Sequence, residues 1–404
     1  MTLRPFTAAL VSAGMLSSQV MANEVNQRIE KLEQEINALK TQTTHNSTSA
    51  KSNNSDVTLG GYIKFDGIIS EYSDGRNATA GIGEDFLVVS TIPTGGETGD
   101  PQTHFSAKES RLWVKGQTQT DSGLVKGYIE VDFQGSSQGD ERISNSYSPR
   151  IRHAYFSWEN WLFGQTWSTF FNVSALPDLL DFVGPVGTIF VRQAQVRYTS
   201  GGFQFAAENP SSTLYNDGAS SSDDNQVPDL IARYNFGSGN ANYSVAIMGR
   251  ELAYDTGTDI ESELGYAASV SGKIALGEKG NDLRFMLNGG NALGRYMGLN
   301  AFRGGSIEGD GSIELVYQWG AFAAYRHLWS EQWRSSFSLS AAQADNPASA
   351  GNAAKQYETF HVNLIYKPVA ALDIGGEMIV GNKELEDGTD GAINRLQFSA
   401  KYTF

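Results

Sequence analysis

From Val57 to the C-terminus, most of the chain alternates apolar and polar side chains with a period of two. In the first run, Val57, Leu59 and Ile63 share one face of a strand, whereas Tyr62 and Lys64 share the other. Such alternation predicts β-strands that have one apolar and one polar face. No later stretch has the roughly 18 apolar residues of a membrane helix, so this segment can span a membrane only as a closed barrel.

The same division of faces recurs in the runs 125–133, 264–274, 360–366 and 372–380. Short turns and long polar loops connect the runs, as is typical of bacterial outer-membrane barrels. At roughly 20 to 22 residues per strand with its connection, residues 57–404 predict an all-β transmembrane barrel of about 16 antiparallel strands. A barrel of this width leaves an aqueous channel.

Three segments precede the predicted barrel. Residues 1–22 are predicted to be a signal peptide, because Arg4 precedes a short apolar stretch and a small-residue cleavage site. Residues 23–40 are predicted to form a periplasmic coiled-coil helix, since apolar residues repeat at intervals of four and three. The seam residues are Val25, Ile29, Leu32, Ile36 and Leu39. Residues 41–56 are polar and predict a flexible linker.

The seam predicts oligomerisation, and the charges that flank it suit parallel neighbouring helices. Little more than two heptads cannot associate alone, because helix nucleation is costly. The barrel is therefore expected to supply most of the association. Isoleucine at position a with leucine at d favours two strands over three. A single amphipathic helix that lies on its own barrel or plugs it is the alternative.

Composition excludes several classes of function. The chain has no cysteine, which excludes disulfides and thiolate metal sites, and its formal net charge of -15 makes nucleic acid an improbable ligand. The five histidines show neither metal-ligand spacing nor a serine and acid partner. We therefore predict no catalytic site, no metal and no cofactor.

The C-terminal segment is apolar on one face and ends in an aromatic residue. Phe398, Tyr402 and Phe404 lie on that face. This ending is similar to the sorting signal that the barrel assembly machinery of the outer membrane reads. It predicts a Gram-negative outer-membrane location, with this machinery, lipid and lipopolysaccharide as partners.

Three segments, 149–155 (PRIRHAY), 163–168 (FGQTWS) and 192–198 (RQAQVRY), resemble the DcaP-like porins. The order of signal, coil, linker and barrel resembles that family over the whole chain. The resemblance implies a homotrimer of 16-stranded barrels with its coiled coil in the periplasm. It also implies that the channel passes small anionic solutes such as dicarboxylates.

An apolar segment between the second and third of these motifs is unusual for an exposed loop. In trimeric porins the third loop folds into the barrel, and this segment stands in the corresponding place. We predict a constriction loop that contains Leu176, Asp178, Asp181 and Phe182, with the two aspartates near the narrowest point. The alternative is a loop that latches onto the neighbouring subunit.

Arginines recur at positions that the alternation assigns to the lumen. They are Arg152, Arg197, Arg233, Arg250, Arg284, Arg334 and Arg395. A guanidinium binds carboxylates through parallel hydrogen bonds and stays charged, so these residues predict anion selectivity. Against this, lumen carboxylates could neutralise the arginines. These are Asp66, Glu130, Asp132, Glu208, Asp229, Glu314 and Glu377.

The sequence thus predicts an outer-membrane diffusion channel for small hydrophilic solutes with a preference for anions. A structural or adhesive barrel, with a closed lumen and a coil that tethers the envelope, is the main alternative. A lipase-like barrel enzyme is a third hypothesis and requires a serine beside a histidine on the outer wall. Acidic loops that share divalent cations with lipopolysaccharide are a further possibility for the surface.

Overall fold

The computed structural model describes residues 55–76, 81–135, 144–216, 219–277 and 280–404. The predicted signal peptide and coiled-coil helix lie outside the described residues, as does nearly all of the linker. The oligomerisation residues Val25, Ile29, Leu32, Ile36 and Leu39 are therefore not described. No helix among the described residues is long and apolar enough to cross a membrane.

Almost all regular structure in this part of the chain is β-strand. The strands are β1 (Ser55–Tyr72), β2 (Gln102–Ser106), β3 (Arg111–Thr120), β4 (Gly123–Asp132), β5 (Arg150–Trp158), β6 (Trp161–Trp167), β7 (Arg192–Ser200), β8 (Phe203–Glu208), β9 (Ser212–Tyr215), β10 (Ala219–Ser222), β11 (Asp229–Ser238), β12 (Ala241–Asp255), β13 (Ile260–Leu276), β14 (Asn281–Gly290), β15 (Gly305–Ile307), β16 (Ile313–Leu315), β17 (Tyr317–Leu328), β18 (Trp333–Asp345), β19 (Ala354–Val369), β20 (Leu372–Leu385) and β21 (Asp390–Thr403). The helices are short: α1 (Ile82–Asp85) and the 3-10 turns Val89–Thr91, Val173–Ala175, Gly294–Tyr296 and Ala348–Ala350.

Seventeen strands form one antiparallel sheet that closes on itself, because β1 pairs with β21 over Tyr62–Tyr72 and Ile393–Thr403. Strands β2 and β3 run end to end beside β1 and are interrupted at residues 107–110, so the barrel wall is sixteen strands around. The predicted barrel and its strand number are confirmed. The first strand begins at Ser55, two residues before the predicted start.

The alternation of side chains matches the two faces of the wall. Val57 and Leu264 are 75% and 72% exposed on the outside, whereas Lys64 and Asp66 are buried on the inside. The aromatic residues of the predicted assembly signal, Phe398, Tyr402 and Phe404, are also exposed. Each apolar face suits lipid, and each polar face suits an aqueous lumen.

Connections of two to four residues join the strands at one end of the barrel, for example residues 159–160 and 201–202. Long loops join most of the strands at the other end. Three of these loops carry the description of the site and are named L1 (residues 73–101), L3 (168–191) and L6 (291–316). Short periplasmic turns and longer outer loops are the rule for bacterial barrels.

Candidate functional site in the barrel lumen

Loop L3 folds into the barrel and is tied to its wall. The backbone N–H of Leu180 donates to Glu377 Oε2 at 2.6 Å, and that of Gly187 donates to Ser340 Oγ at 2.8 Å. A Cβ atom at Gly187 would overlap the backbone of Ala321, so only glycine lets L3 lie this close to the wall. The predicted segment therefore lies inside the barrel. That it sets the constriction stays a prediction.

Leu176 and Asp178 of L3 meet charged residues of the wall. The carbonyl of Leu176 accepts a hydrogen bond from the guanidinium of Arg284. One carboxylate oxygen of Asp178 lies 2.8 Å from Arg334 Nε and 3.8 Å from Arg326 Nη1. Asp178 therefore neutralises wall arginines from the loop.

Asp181 has a bracing position that the sequence did not reveal. It is 6% exposed, and its carboxylate accepts the backbone N–H groups of Leu87 at 2.8 Å, Val183 at 3.0 Å and Gly184 at 2.9 Å. A carboxylate whose acceptor sites are engaged in this way holds backbone in place. Through Leu87 it also joins L3 to L1.

Residues 82–92 of loop L1 lie inside the barrel as well, which the sequence analysis did not predict. Arg395 Nη2 donates to the carbonyl of Gly83 at 2.6 Å. Lys383 Nζ donates to the carbonyls of Ser90 and Ile92, each at 3.1 Å. Two cations of the last two strands thus hold L1 by its backbone.

Apolar side chains join the two loops. Phe86 and Val88 of L1 form a buried cluster with Val183 and Phe190 of L3. The ring centroids of Phe86 and Phe182 are 5.1 Å apart. The signal that singled out L3, large apolar residues inside a loop, was also present in L1.

The carboxylate of Asp85, at the end of α1, faces two basic side chains. Its oxygens lie 3.0 Å from His104 Nε2 and 3.1 Å from Lys108 Nζ. Burial acts to raise the pKa of Asp85, but the hydrogen bonds from His104 and Lys108 outweigh it and hold the pKa below its ordinary value. Asp85 is therefore an anion at neutral pH.

All seven predicted arginines contact groups inside the barrel, and three of them, Arg152, Arg250 and Arg395, are buried. Arg250 and Arg395 are 2% and 1% exposed. Arg250 Nη1 donates to the carbonyl of Ala292 in L6 at 3.3 Å, and Arg395 holds Gly83 as described. These two guanidiniums anchor loops, so the prediction of anion selectivity does not rest on them.

A second group of arginines is paired with carboxylates. Arg284 Nε lies 2.6 Å from Asp282, Arg326 Nη2 lies 2.7 Å from the same carboxylate, and Arg334 Nη1 lies 2.9 Å from Asp373. We call this group the paired sector. Its members are Arg284, Arg326 and Arg334 with Asp178, Asp282 and Asp373.

Arg152 is also paired, and a β-bulge places it. The register between β4 and β5 shifts at Glu130 and Val131, so the consecutive residues Arg152 and His153 both turn inward. Arg152 lies 2.6 Å from Glu130 and 2.8 Å from Asp132. Simple alternation predicted Arg152 in the lumen but not its neighbour.

On β7 and β11, three wall arginines form no ion pair among the described residues. They are Arg192, Arg197 and Arg233, which we call the unpaired sector. Arg197 donates to the carbonyl of Trp167 at 2.6 Å, and Arg233 donates to that of Phe171 at 2.7 Å. Both side chains line a cavity of about 440 Å³ whose walls contain no Asp or Glu. Arg192 was quoted in a sequence motif but was not predicted as a site residue.

The predicted lumen carboxylates serve several purposes. Asp66 accepts from Gln397 Nε2 at 2.9 Å, and Glu208 accepts from the backbone N–H of Thr169 at 2.6 Å. Glu314 lies in β16, part of a small sheet of long-loop strands, and so is not a wall residue. Within the described ranges, no group of three His, Cys, Asp or Glu side chains is arranged to hold a metal.

Known proteins are similar to this chain in sequence and in structure. The model of the DcaP outer membrane protein family matches residues 17–404. The crystal structure of the outer membrane channel DcaP of Acinetobacter baumannii is 26% identical with a TM-score of 0.72, covering 88% of this chain and 99% of that one. No curated protein matches significantly.

Two further solved structures share the fold. An anion-selective porin from Comamonas acidovorans is 10% identical, with a TM-score of 0.55 and coverage of 87% of this chain and 100% of its own. The OmpT protein of Vibrio cholerae lacking loop L8 is 12% identical, with a TM-score of 0.53 and the same coverage. The family match spans nearly the whole chain, and this chain belongs to the DcaP outer membrane protein family.

Proposed function

We propose that the protein is an outer-membrane porin, a passive channel for small hydrophilic solutes. The observation that carries the proposal is L3, which enters a closed barrel of sixteen strands and is hydrogen-bonded to its inner wall. Barrels of this size have aqueous interiors, and an inward loop narrows them. In this proposal the segment Leu176–Phe182 sets the constriction, and no catalysis is involved.

The channel prefers anions such as dicarboxylates. Arg192, Arg197 and Arg233 support this preference, because none of them forms an ion pair with a described carboxylate. The paired sector contributes little, since its carboxylates offset its guanidiniums. Lumen charge of one sign raises the local concentration of the opposite ion.

The working form is a homotrimer in the outer membrane. Its signal peptide, periplasmic coil and C-terminal assembly signal are those proposed from the sequence, and lipid and lipopolysaccharide surround it. The outward aromatic residues of neighbouring strands support a membrane-embedded wall: the ring centroids of Trp333 and Tyr366, for example, lie 4.6 Å apart. Native mass spectrometry of the purified protein is expected to show three chains.

One observation favours the second candidate, a structural barrel with a closed lumen. Side chains of L3 and L6 form a large buried apolar cluster, in which Phe170, Ile189 and Tyr296 are each at most 1% exposed. A lumen filled by such a cluster throughout its section would pass no solute. The two candidates therefore differ in whether the protein conducts.

Planar-bilayer recording separates them. The purified full chain is expected to insert into the bilayer as trimers, so that three channels appear in each conductance step. A salt gradient is expected to give the reversal potential of an anion-preferring pore. Succinate added to one side should reduce the current. Absence of conductance would favour the structural barrel, and cation selectivity would overturn the anion preference.

A further inference from the structure

Arg192 differs from every other arginine described above. It is the first residue of β7, next to the end of L3. Among the residues that the structure describes, its side chain forms neither a hydrogen bond nor an ion pair, and its Nη1 atom is buried without a partner. The side chain is half-buried, and a charge withdrawn from water without a partner is costly, which points to a ligand.

Aromatic rings surround this guanidinium. Its carbon lies 4.5 Å from the ring centroid of Trp167 and 5.7 Å from that of Phe190. Both distances are within the range of cation–π attraction, which offsets part of the cost of burial. The rings engage the π system of the guanidinium and leave its N–H donors for another group.

Neighbouring guanidiniums are already occupied. Arg150 Nε and Nη2 each lie 2.9 Å from an oxygen of Asp132, while Arg152 binds Asp132 and Glu130. A solute that approaches these two must compete with bound carboxylates. Arg192 is therefore the strongest anion-binding group of this cluster.

The rings extend beyond Arg192. The centroid of Phe182 lies 5.8 Å from the guanidinium carbon of Arg150 and 5.2 Å from that of Arg152. Phe182 and Phe190 are 5.8 Å apart. Trp167 and Phe182 are only partly buried, so an apolar surface lies beside the guanidinium of this cluster whose donors are unused.

We infer that Arg192, with Trp167 and Phe182, forms a binding site for aromatic monocarboxylates. The carboxylate would accept two parallel hydrogen bonds from Arg192, and the ring of the solute would pack on the aromatic side chains. An aliphatic acid lacks the ring, and a neutral aromatic alcohol lacks the charge. The inference rests on the proposed channel function only for the arrival of the solute.

Benzoate is the probe, with acetate, benzyl alcohol and inorganic phosphate as comparisons. We would measure binding to the detergent-solubilised full chain by isothermal titration calorimetry. Benzoate is expected to bind at least tenfold more tightly than the other three. Equal binding of acetate or phosphate would overturn the assignment of an aromatic acid.

Variants test the residue itself. Arg192→Gln is expected to weaken benzoate binding at least tenfold, and Arg192→Lys by less, because lysine keeps the charge but not the planar fork. Arg76→Gln, which removes an exposed arginine of L1, is the matched control and should bind benzoate as the natural protein does. Unchanged binding in Arg192→Gln would refute the site.

Two further measurements, the unfolding temperature and the conductance, distinguish this binding site from a bracing role and from the channel proposal. The unfolding temperature of Arg192→Gln should equal or exceed that of the natural protein; a marked fall would identify Arg192 as a brace and overturn the inference. Conductance with anion preference but no benzoate binding would refute the site alone. Benzoate binding that depends on Arg192 in a protein without conductance would support the site and refute the channel.

Discussion

The two arginine sectors use the same residue type at equivalent inward positions, yet only one is neutralised. In the paired sector, Arg284 lies 2.6 Å from Asp282, two residues before it on the same face of β14. In the unpaired sector, Arg197 instead lies 3.0 Å from the amide oxygen of Gln195, and Arg233 lies 2.7 Å from that of Asn235.

The difference between the two sectors shows that the residue two positions away from each arginine determines the net charge of that stretch of wall. Residues two apart on a strand share a face, so the nearest partner of an arginine is its second neighbour. An amide oxygen accepts the same hydrogen bond as a carboxylate but leaves the charge of the guanidinium in place. Replacing the acid by an amide in the paired sector, and the amide by an acid in the unpaired sector, should interchange the net charges of the two sectors.

The largest effect is expected from Asp282→Asn, which removes the carboxylate that Arg284 and Arg326 of the paired sector share. Asp282 is 1% exposed and faces both Arg284 and Arg326. Removing the acid from a buried pair costs about 3 kcal/mol, and chemical denaturation would measure this loss. The surviving channels should prefer anions more strongly. An unchanged unfolding midpoint would show that the pairing contributes nothing.

The converse change, Asn235→Asp, should neutralise Arg233. Anion preference is then expected to fall by a factor of about three to five, since one lumen charge contributes on the order of 1 kcal/mol to the energy of a passing ion. The reversal potential in a salt gradient measures it. Asn352→Asp, in an exposed loop, is the matched control. A fall of the same size in Asn352→Asp would show that the loss of anion preference does not depend on placing the acid beside Arg233.

Asp178→Asn tests the contribution of the loop to the paired sector. Arg334 would keep Asp373 at 2.9 Å, so the gain in anion preference should be about half that of Asp282→Asn or less. Asp178 is a quarter exposed, and the stability should change by less than about 1 kcal/mol. The reversal potential measures the anion preference, and the unfolding midpoint measures the stability. A loss of stability as large as that of Asp282→Asn would contradict this ranking.

The smallest effect is a dependence on acid through Asp85, whose pKa is held below its ordinary value. A lowered pKa in the folded state means that the stabilisation is present above the usual aspartate pKa of about 3.9 and is lost as pH falls through the folded value. Protonation removes the Asp85 charge opposite Lys108 and should slightly increase anion preference. Reversal potentials at pH 7 and at a pH well below about 3.9 test it, and Asp85→Asn should reduce the difference.

Much of this architecture could be read from the sequence. The period-two pattern predicted the closed barrel and its strand number, and apolar residues inside a polar connection located L3. Local pairs such as Asp282 with Arg284 were also readable, because they depend on residues two apart. The same test would have marked Arg197 and Arg233 as unpaired.

Other features could not be read. The bulge that turns His153 inward breaks the alternation without any marking residue. Asp178 pairs with Arg334 across 156 positions, and Asp181 binds the backbone of Leu87 across 94, contacts that only the closed barrel creates. The absence of an ion pair at Arg192 likewise depends on which carboxylates the neighbouring arginines bind.

The seam between β1 and β21 also determines an order of events during biogenesis. Gln397 and Asp66 bond across this seam although 331 residues separate them along the chain. Glu377 and Lys383 of β20 and Arg395 of β21, which hold L3 and L1, lie on the seam strand itself or on the strand next to it. Docking of both loops needs these strands in the wall, so an assembly intermediate in which the seam is still open would lack the inner barrier that the loops form.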